Sequence, residues 1–184
     1  MTTRTWLVAL AMLTAIGCGS EGGETEGLPC TGEGCSCSGA DCECMAGTDC
    51  KTECGATACS LDCRANSKCQ GSSEGALTLT CLDTSECKGS GGDGSVISCT
   101  QASSCDLKAG AGATATCGDE AACKLNLGAG ASIRCAQGST CDLKCDADCV
   151  VECIEAAQCT VSCGADATPG VACPDGRVVC GREC

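Results

Sequence analysis

Cysteine recurs at a fixed 18-residue interval through the middle of this chain. Each of these cysteines is followed six residues later by another. The two series are Cys63, Cys81, Cys99, Cys117, Cys135 and Cys153, and Cys69, Cys87, Cys105, Cys123, Cys141 and Cys159. A period this short indicates a repeat architecture in which each repeat forms one coil of backbone.

Each repeat shows strand-like alternation when it is numbered from its first cysteine. Odd positions 1, 7, 9, 11, 15 and 17 are mostly apolar or small, whereas even positions such as 8 and 10 are mostly polar or glycine. A period of two is typical of half-buried β-strands, and an even repeat length keeps the same face inward in every turn. Leu79 and Pro169 both occupy position 17 and are expected to face inward. Position 3 is odd yet polar, as at Asp83, so we expect it at an outward bulge between the two strands.

The period and the alternation predict an all-β fold, a narrow disulfide-stapled two-sided β-solenoid (β-helix) with 18-residue turns. Its strands stack in parallel, and the Gly-rich segments 110–112 and 128–130 form one of the two turns of the coil. Residues 44–62 form the same repeat with one extra residue, which we expect in the Gly-rich turn. The alternative is a disulfide-linked coil without regular strands.

The composition leaves little material for a conventional core. The 184 residues include 27 Cys and 26 Gly but no Phe, Tyr or His, and the single Trp is Trp6. Small side chains bury little apolar area, so hydrophobic transfer alone hardly offsets the entropy of the chain. Cysteine at this density indicates that disulfides supply the remaining stability.

The net charge and the missing residue types exclude several function classes. The formal net charge is −13, and a surface of that sign repels nucleic acid, so we expect no nucleic-acid partner. Without His there is no imidazole base and no Ser-His or Cys-His pair for nucleophilic catalysis. We therefore expect no enzymatic activity, no cofactor and no bound metal.

The N-terminal segment resembles the signal of bacterial lipoproteins. A short basic start precedes an apolar run over residues 6–16, which is too short for a comfortable membrane span. The run ends in Ala15-Ile16-Gly17-Cys18, which is similar to the lipobox of that family, although the family prefers Leu at the place of Ala15. The resemblance implies that Cys18 receives a diacylglycerol and becomes the first residue after cleavage. The alternative is an ordinary signal peptide with Cys18 removed.

These features divide the chain into five segments. They are a signal peptide (1–17), a lipidated Cys18 with a flexible acidic tether (18–29), an N-terminal cysteine-rich cap (30–43), seven 18- or 19-residue solenoid repeats (44–170) and a C-terminal cysteine-rich cap (171–184). We expect a cell-envelope protein at the outer membrane or cell surface, with the membrane as a partner through the lipid on Cys18. Export places the other cysteines in an oxidising compartment, where disulfides are the default.

The spacing of six between paired cysteines also resembles that of the small cysteine-rich β-helices of beetle antifreeze proteins. That resemblance implies one bridge inside each turn: Cys44–Cys50, Cys63–Cys69, Cys81–Cys87, Cys99–Cys105, Cys117–Cys123, Cys135–Cys141 and Cys153–Cys159. Cysteines at positions 11 and 15 are expected to bridge the second turn, as Cys54–Cys59 and Cys145–Cys149. A competing plan links the same position in successive turns, because adjacent strands lie about 4.8 Å apart.

Eight further cysteines flank the repeats, four on each side. Four and four fit two bridges in each cap, and a solenoid needs caps because its end strands would otherwise present open edges. The pairing within each cap cannot be deduced from the sequence. These cysteines are Cys30, Cys35, Cys37, Cys42, Cys163, Cys173, Cys180 and Cys184.

We expect a structural or interaction protein, a rigid lipid-tethered surface module whose partner is an unidentified cell-surface protein or polysaccharide. A metal-thiolate protein is the alternative. It is suggested by the doublets Cys35-Ser-Cys37 and Cys42-Glu-Cys44, because thiolates suit Zn²⁺ or Cu(I).

Ice binding is a third candidate, and it follows only from the antifreeze resemblance. The ice-binding faces of that family carry regular Thr-x-Thr ranks. Here two such ranks occur, Thr78-Leu-Thr80 and Thr114-Ala-Thr116, and the equivalent positions of the other repeats depart from the pattern.

Overall fold

The computed structural model describes residues 28–184, so the signal-like segment and Cys18 lie outside the described residues. This part of the chain is all-β, and no helix in it is long and apolar enough to cross a membrane. Its strands, in chain order, are β1 (Cys30–Thr31), β2 (Cys35–Ser38), β3 (Asp41–Cys44), β4 (Asp49–Glu53), β5 (Cys59–Cys63), β6 (Lys68–Ser72), β7 (Leu77–Cys81), β8 (Glu86–Gly91), β9 (Val96–Cys99), β10 (Ser104–Ala109), β11 (Thr114–Cys117), β12 (Ala122–Leu127), β13 (Ser132–Cys135), β14 (Thr140–Cys145), β15 (Cys149–Cys153), β16 (Gln158–Cys163), β17 (Thr168–Pro169), β18 (Val171–Ala172) and β19 (Arg177–Cys180).

The strands form two sheets. Sheet A has nine strands in the order β1-β4-β6-β8-β10-β12-β14-β16-β17, and sheet B has ten in the order β18-β19-β15-β13-β11-β9-β7-β5-β3-β2. Every turn of the coil therefore contributes one strand to each sheet. Successive turns are parallel and in register, so that Cys105 lies beside Cys123 and Leu107 beside Leu125. The predicted β-solenoid of about seven turns is confirmed.

The inward parity predicted from the repeat is also confirmed in the central turns. Leu79 at position 17 is 0% exposed and Leu107 at position 9 is 2% exposed. Strand β10 shows the alternation residue by residue, with its even positions exposed and its odd positions buried. The interior between the sheets is filled by Cys, Leu, Ile, Val, Ala and Ser side chains, which is why the coil is narrow.

The first turn of each coil connects sheet B to sheet A through positions 2 to 5. Asp83 at position 3 is exposed, as predicted, and Asp83 and Thr84 both have positive φ, 53° and 63°. The N–H of Ser85 donates to the carbonyl of Leu82 at 3.1 Å, which gives the pattern of a type I′ turn. The N–H of Thr84 donates to the carbonyl of Gln101 in the next turn at 3.0 Å. Such bonds between coils offset the cost of left-handed backbone at non-glycine residues.

The second turn is the Gly-rich one. The residue at position 14 of this turn has a positive φ, which is 65° at Gly112. Glycine adopts this conformation without the steric clash that a Cβ atom would cause. The N–H of Gly112 donates to the carbonyl of Ala129 in the next coil at 2.8 Å, so this turn is also linked along the solenoid.

The extra residue of segment 44–62 lies in this second turn. On the sheet A side Glu53 is paired with Ser72, and on the sheet B side Cys59 is paired with Leu77. The offset along the chain is one residue longer for the first pair than for the second. The change of offset falls between Glu53 and Cys59, so the insertion enlarges a corner and leaves both strands in register. This agrees with the expectation from the sequence.

Both ends of the solenoid are closed by antiparallel strands. At the N-terminal end β1 pairs with β4 and β2 with β3, and at the C-terminal end β17 pairs with β16 and β19 with β15. The expectation that Pro169 faces inward at position 17 is therefore wrong: Pro169 lies exposed in β17, and β19 covers β15 instead. Proline has no N–H to donate to a parallel ladder, so the chain reverses there.

Candidate interaction surface

The described cysteines tie every coil to itself. In the seven repeats the cysteines at positions 1 and 7 are bonded across the first turn, with Cα–Cα distances from 5.8 to 6.6 Å. These bridges are Cys44–Cys50, Cys63–Cys69, Cys81–Cys87, Cys99–Cys105, Cys117–Cys123, Cys135–Cys141 and Cys153–Cys159. Two coils carry a second bridge across the other turn, Cys54–Cys59 and Cys145–Cys149.

Each cap contains two bridges. They are Cys30–Cys35 and Cys37–Cys42 at the N-terminal end, and Cys163–Cys180 and Cys173–Cys184 at the C-terminal end. The doublets considered as metal ligands are therefore divided among bridges: Cys35 and Cys37 have different partners, and so do Cys42 and Cys44. A bonded sulfur is not a thiolate, so these doublets offer no thiolate ligand while the bridges are intact.

Bridges of neighbouring coils lie close to one another in the interior. The Sγ atoms of Cys63, Cys69 and Cys87 are all within 4.8 Å of each other, and the three residues are buried. Three further groups of this kind occur in the described chain, and each joins one bridge to the position 7 cysteine of the following coil. The stacking follows from the parallel register, which places successive bridges one strand spacing apart.

The outer face of sheet A carries every lysine of the protein. The six lysines lie on six successive strands of sheet A, one on each: Lys51, Lys68, Lys88, Lys108, Lys124 and Lys144. Five carboxylates share these strands: Asp49, Glu53, Glu86, Asp106 and Asp142. The face is therefore close to neutral, and the large negative charge of the chain resides mainly in turns, caps and sheet B.

Four charges on this face form a column of alternating sign. Position 8 of β8, β10, β12 and β14 reads Lys88, Asp106, Lys124 and Asp142, and the strand register places these residues side by side. We refer to these four residues as the charge column. The ion pairs found among the described residues do not include any of its members, so its charges face solvent.

The outer face of sheet B is different in character. Its middle strands β7, β9 and β11 present uncharged side chains, including Thr78, Thr80, Thr114 and Thr116. The two Thr-x-Thr ranks are separated by β9, which presents Val96 and Ser98. The flanking strands are charged, and Arg134 donates to Glu152 at 3.1 Å. The threonine array is therefore interrupted by β9.

Surface ion pairs perturb a few titratable groups. A hydrogen bond and the positive charge of Lys51, whose Nζ lies 2.7 Å from an Oε of Glu53, lower the pKa of the Glu53 carboxyl. Hydrogen bonds from Arg177 likewise lower the pKa of Asp175. These groups are fully exposed, so the shifts arise from their immediate partners and do not mark a desolvated catalytic site.

No protein-family model matches this chain, and no curated protein or solved structure matches it. The resemblances to lipoprotein signals and to antifreeze β-helices therefore remain predictions from short motifs. What the molecule offers to a partner is defined by its own geometry: two flat faces on a coil whose turns are closed by disulfides.

Proposed function

We propose that this protein is a non-enzymatic, lipid-anchored structural or interaction module of the cell envelope. The observation that supports this proposal best is the bridge that closes each coil, as Cys99–Cys105 does in the third complete 18-residue repeat. A bridge over so short a loop contributes about 2–3 kcal/mol by the chain-entropy estimate, so a series of them supports a rigid coil despite the thin apolar core. Rigid flat faces suit spacing or docking at a surface.

The non-enzymatic part of the proposal is supported by the residues the chain has. It contains no His, and the cysteines of residues 28–184 are bonded to each other, so neither an imidazole base nor a thiolate nucleophile is supplied there. The depressions on the described surface lie on exposed faces and edges of the sheets, where substrates would remain solvated. Binding through a face is therefore favoured over chemistry in a cleft.

The anchoring part of the proposal rests on the lipobox-like motif at residues 15–18, which precedes the described residues. Attachment of more than one acyl chain at Cys18 would hold the protein stably on a bilayer, where a single chain would not. The polar, acidic segment 19–27 would then separate the solenoid from the lipid. We propose the outer membrane or the cell surface as its location, with an unidentified cell-surface protein or polysaccharide as a partner.

Membrane fractionation of Cys18→Ser tests the anchor. The wild-type chain is expected in the membrane fraction and the variant in the soluble fraction, and Ser20→Ala serves as a control that leaves Cys18 intact. Retention of Cys18→Ser on membranes would contradict lipid anchoring.

Limited proteolysis with and without a thiol reductant tests the rigid module, because resistance to the protease should be lost only after reduction. Rapid digestion of the oxidised protein would contradict it.

The metal-thiolate alternative retains one supporting observation, the groups of three sulfurs within 4.8 Å of each other. Such groups would present soft ligands only after reduction of their bridges. Thiol titration of the purified protein in denaturant separates the two functions. We expect almost no free thiol, whereas many thiols together with bound Zn²⁺ or Cu(I) would favour the alternative.

A further inference from the structure

We propose that the outer face of sheet A binds a second copy of this chain in an antiparallel, face-to-face dimer. The observation that carries this inference is the order of signs in the charge column, plus-minus-plus-minus from Lys88 to Asp142. Read from the opposite end, the same column gives minus-plus-minus-plus. A column with this property is complementary to a reversed copy of itself.

The symmetry that produces this contact can be defined from the strands alone. The two-fold axis lies in the interface, runs parallel to the strands and passes between β10 and β12. Rotation about this axis reverses the order of the strands and keeps each residue at its own position in the repeat. It places Lys88 opposite Asp142 of the second copy and Asp106 opposite its Lys124. The symmetry repeats both contacts, so four pairs of opposite charge form across the interface.

The rows on either side of the column are compatible with the same axis. At position 10, Lys108 lies opposite Asn126 of the second copy and Lys144 opposite its Ser90. The row at position 6 also avoids contacts between like charges. There Glu86 lies opposite Thr140 of the second copy, and Lys68 lies opposite its Gln158. The axis also lies near the middle of the sheet, so β8 overlaps β14 and β6 overlaps β16.

Two other arrangements lack this complementarity. A two-fold axis along the stack of strands would place each member of the column opposite itself, Lys88 on Lys88 and Asp106 on Asp106, which is repulsive. On sheet B, a reversal about the gap between β9 and β11 would place Asp62 opposite Glu152 of the second copy, again with like charges. The charges therefore favour a reversed copy over a parallel one on sheet A, and they disfavour this central reversal on sheet B.

The size and polarity of the face set the strength expected of the dimer. Six strands of six residues span roughly 20 Å by 30 Å, or about 1,200 Å² for both copies, at the low end of specific interfaces. Solvent-exposed ion pairs contribute little individually and are screened by salt. We therefore expect a weak dimer whose association depends on ionic strength. This inference names a partner for the proposed interaction module and rests on that function, but it does not depend on the lipid anchor.

Two charge-reversal variants test the contact directly. Asp106→Lys with Asp142→Lys makes the column entirely positive, and Lys88→Asp with Lys124→Asp makes it entirely negative. Each variant, prepared in the full chain with Cys18→Ser, is expected to sediment as a monomer, because its own reversed copy now repels it. An equimolar mixture of the two is expected to form a heterodimer. The matched control is Glu43→Lys with Glu152→Lys, which changes the net charge as the all-positive column does but lies on sheet B.

The outcomes separate the dimer from its alternatives. Sedimentation velocity of wild type at low ionic strength should show a concentration-dependent dimer that dissociates at about 1 M salt, where the screening length is about 3 Å. A wild type that stays monomeric at high concentration, or variants that fail to combine on mixing, would overturn the inference. Failure to combine would also indicate that the alternating charges act only between strands of one copy. A full set of bridges in each variant, checked by thiol titration, excludes misfolding as the cause.

Membrane release of Cys18→Ser and protease resistance of the oxidised chain do not depend on association. Loss of either would count against the proposed module, whereas loss of the dimer alone would leave that module without this partner. The two failures are therefore distinguishable.

Discussion

The hydroxyl of Ser103 donates a hydrogen bond to the backbone carbonyl of Cys81 in the preceding coil, at an Oγ–O distance of 3.0 Å. Ser85 does the same to the carbonyl of Cys63 at 3.1 Å. Both serines lie at position 5, and both are almost completely buried. The space at this position admits only a small side chain, which explains its restriction to Ser and Ala, and at Ser85 and Ser103 the hydroxyl also links successive coils.

Ser103→Ala is expected to lower the free energy of unfolding by about 1 kcal/mol, the usual contribution of one hydrogen bond. The loss stays small because the N–H of Thr100 also donates to the Cys81 carbonyl, at 3.0 Å. Ser103→Val should cost more, up to about 3 kcal/mol, because it overfills the site. Denaturant unfolding with the bridges intact measures both. Ser104→Ala, at the exposed neighbouring position, is the control, and an equal loss there would contradict the role of the buried hydroxyl.

Gly89 lies where a neighbouring strand approaches its backbone. A Cβ on Gly89 would stand 1.9 Å from the carbonyl oxygen of Gly71, which cannot move without breaking the ladder. Gly89→Ala should therefore destabilise the protein by about 3 kcal/mol or more. Gly71→Ala is the matched control, since its Cβ would meet the flexible end of Leu61 at 3.0 Å and should cost much less. Thermal unfolding compares the two, and equal stability of both variants would contradict the strand register.

Removal of one sulfur from the stack is expected to start disulfide exchange. In Cys81→Ser the thiol of Cys87 loses its partner and lies within 4.8 Å of the Cys63 and Cys69 sulfurs. The Cys87 thiolate can attack Cys69, form a new bond to it and release the Cys63 thiolate, or attack Cys63 and release Cys69. The Cys105 sulfur also lies within 4.8 Å of Cys87, so attack on Cys105 would release the Cys99 thiolate in the same way. Alkylation after incubation at alkaline pH, followed by peptide mapping, should find label beyond Cys87, on cysteines of the two neighbouring bridges.

Cys59→Ser provides the matched control for that exchange. It leaves Cys54 without its partner, and Cys54 does not belong to any of the three-sulfur groups of residues 28–184. Label is expected to stay on Cys54 in this variant. If Cys81→Ser also retained its label on Cys87 alone, the close stacking of the bridges would be contradicted.

The pair formed by Lys51 and Glu53 has a predictable pH dependence. Because Lys51 lowers the pKa of Glu53 in the folded protein, the contribution of this pair is present above the unfolded pKa and is lost as pH falls through the folded pKa. Lys51→Gln should raise the Glu53 pKa towards its ordinary value, as measured by an NMR titration of its side-chain carbon. Lys68→Gln on the next strand is the control. A similar rise of the Glu53 pKa in that variant would show that the pKa is lowered by the combined charges of the face and not by Lys51 itself.

The repeat period carried enough information to predict the coil and its core. Since 18 is even, Leu79 and Leu107 occupy odd positions in their repeats and face inward, while Lys88 and Lys108 occupy even positions and face outward. The polar residues at position 3 similarly predicted an outward turn. Each of these predictions needed only alternation within a strand and repetition between strands.

The ends and the turn geometry could not be predicted in this way. The caps lie outside the repeat, so no periodicity specified that β19 would reverse and pair with β15. Pro169 was placed inward by counting, although its missing N–H favours the edge position it occupies. The left-handed backbone conformation of Gln101 and Ala102 could not be predicted from the sequence either, because neither residue is typical of a type I′ turn.

The charge column can be read from the sequence, but only by comparing the same position in successive repeats. Asp106 and Lys124 are separated by one full repeat and become neighbours only when the repeats are stacked in register. Writing the repeats beneath one another aligns the four charges at position 8. The face that these charges form is therefore readable from the sequence once the solenoid is recognised.

The most direct test of one bridge inside each coil is tryptic mapping of the unreduced protein in denaturant, with free thiols blocked beforehand. Cleavage after Lys88, Lys108 and Lys124 separates one coil's pair of cysteines from the next. A bridge between Cys99 and Cys105 releases fragment 89–108 as a single peptide, lighter than its reduced form by two hydrogens. A bridge between Cys99 and Cys117 would instead join fragment 89–108 to fragment 109–124. A bridge inside each coil predicts the single peptide, and the joined fragments would contradict it.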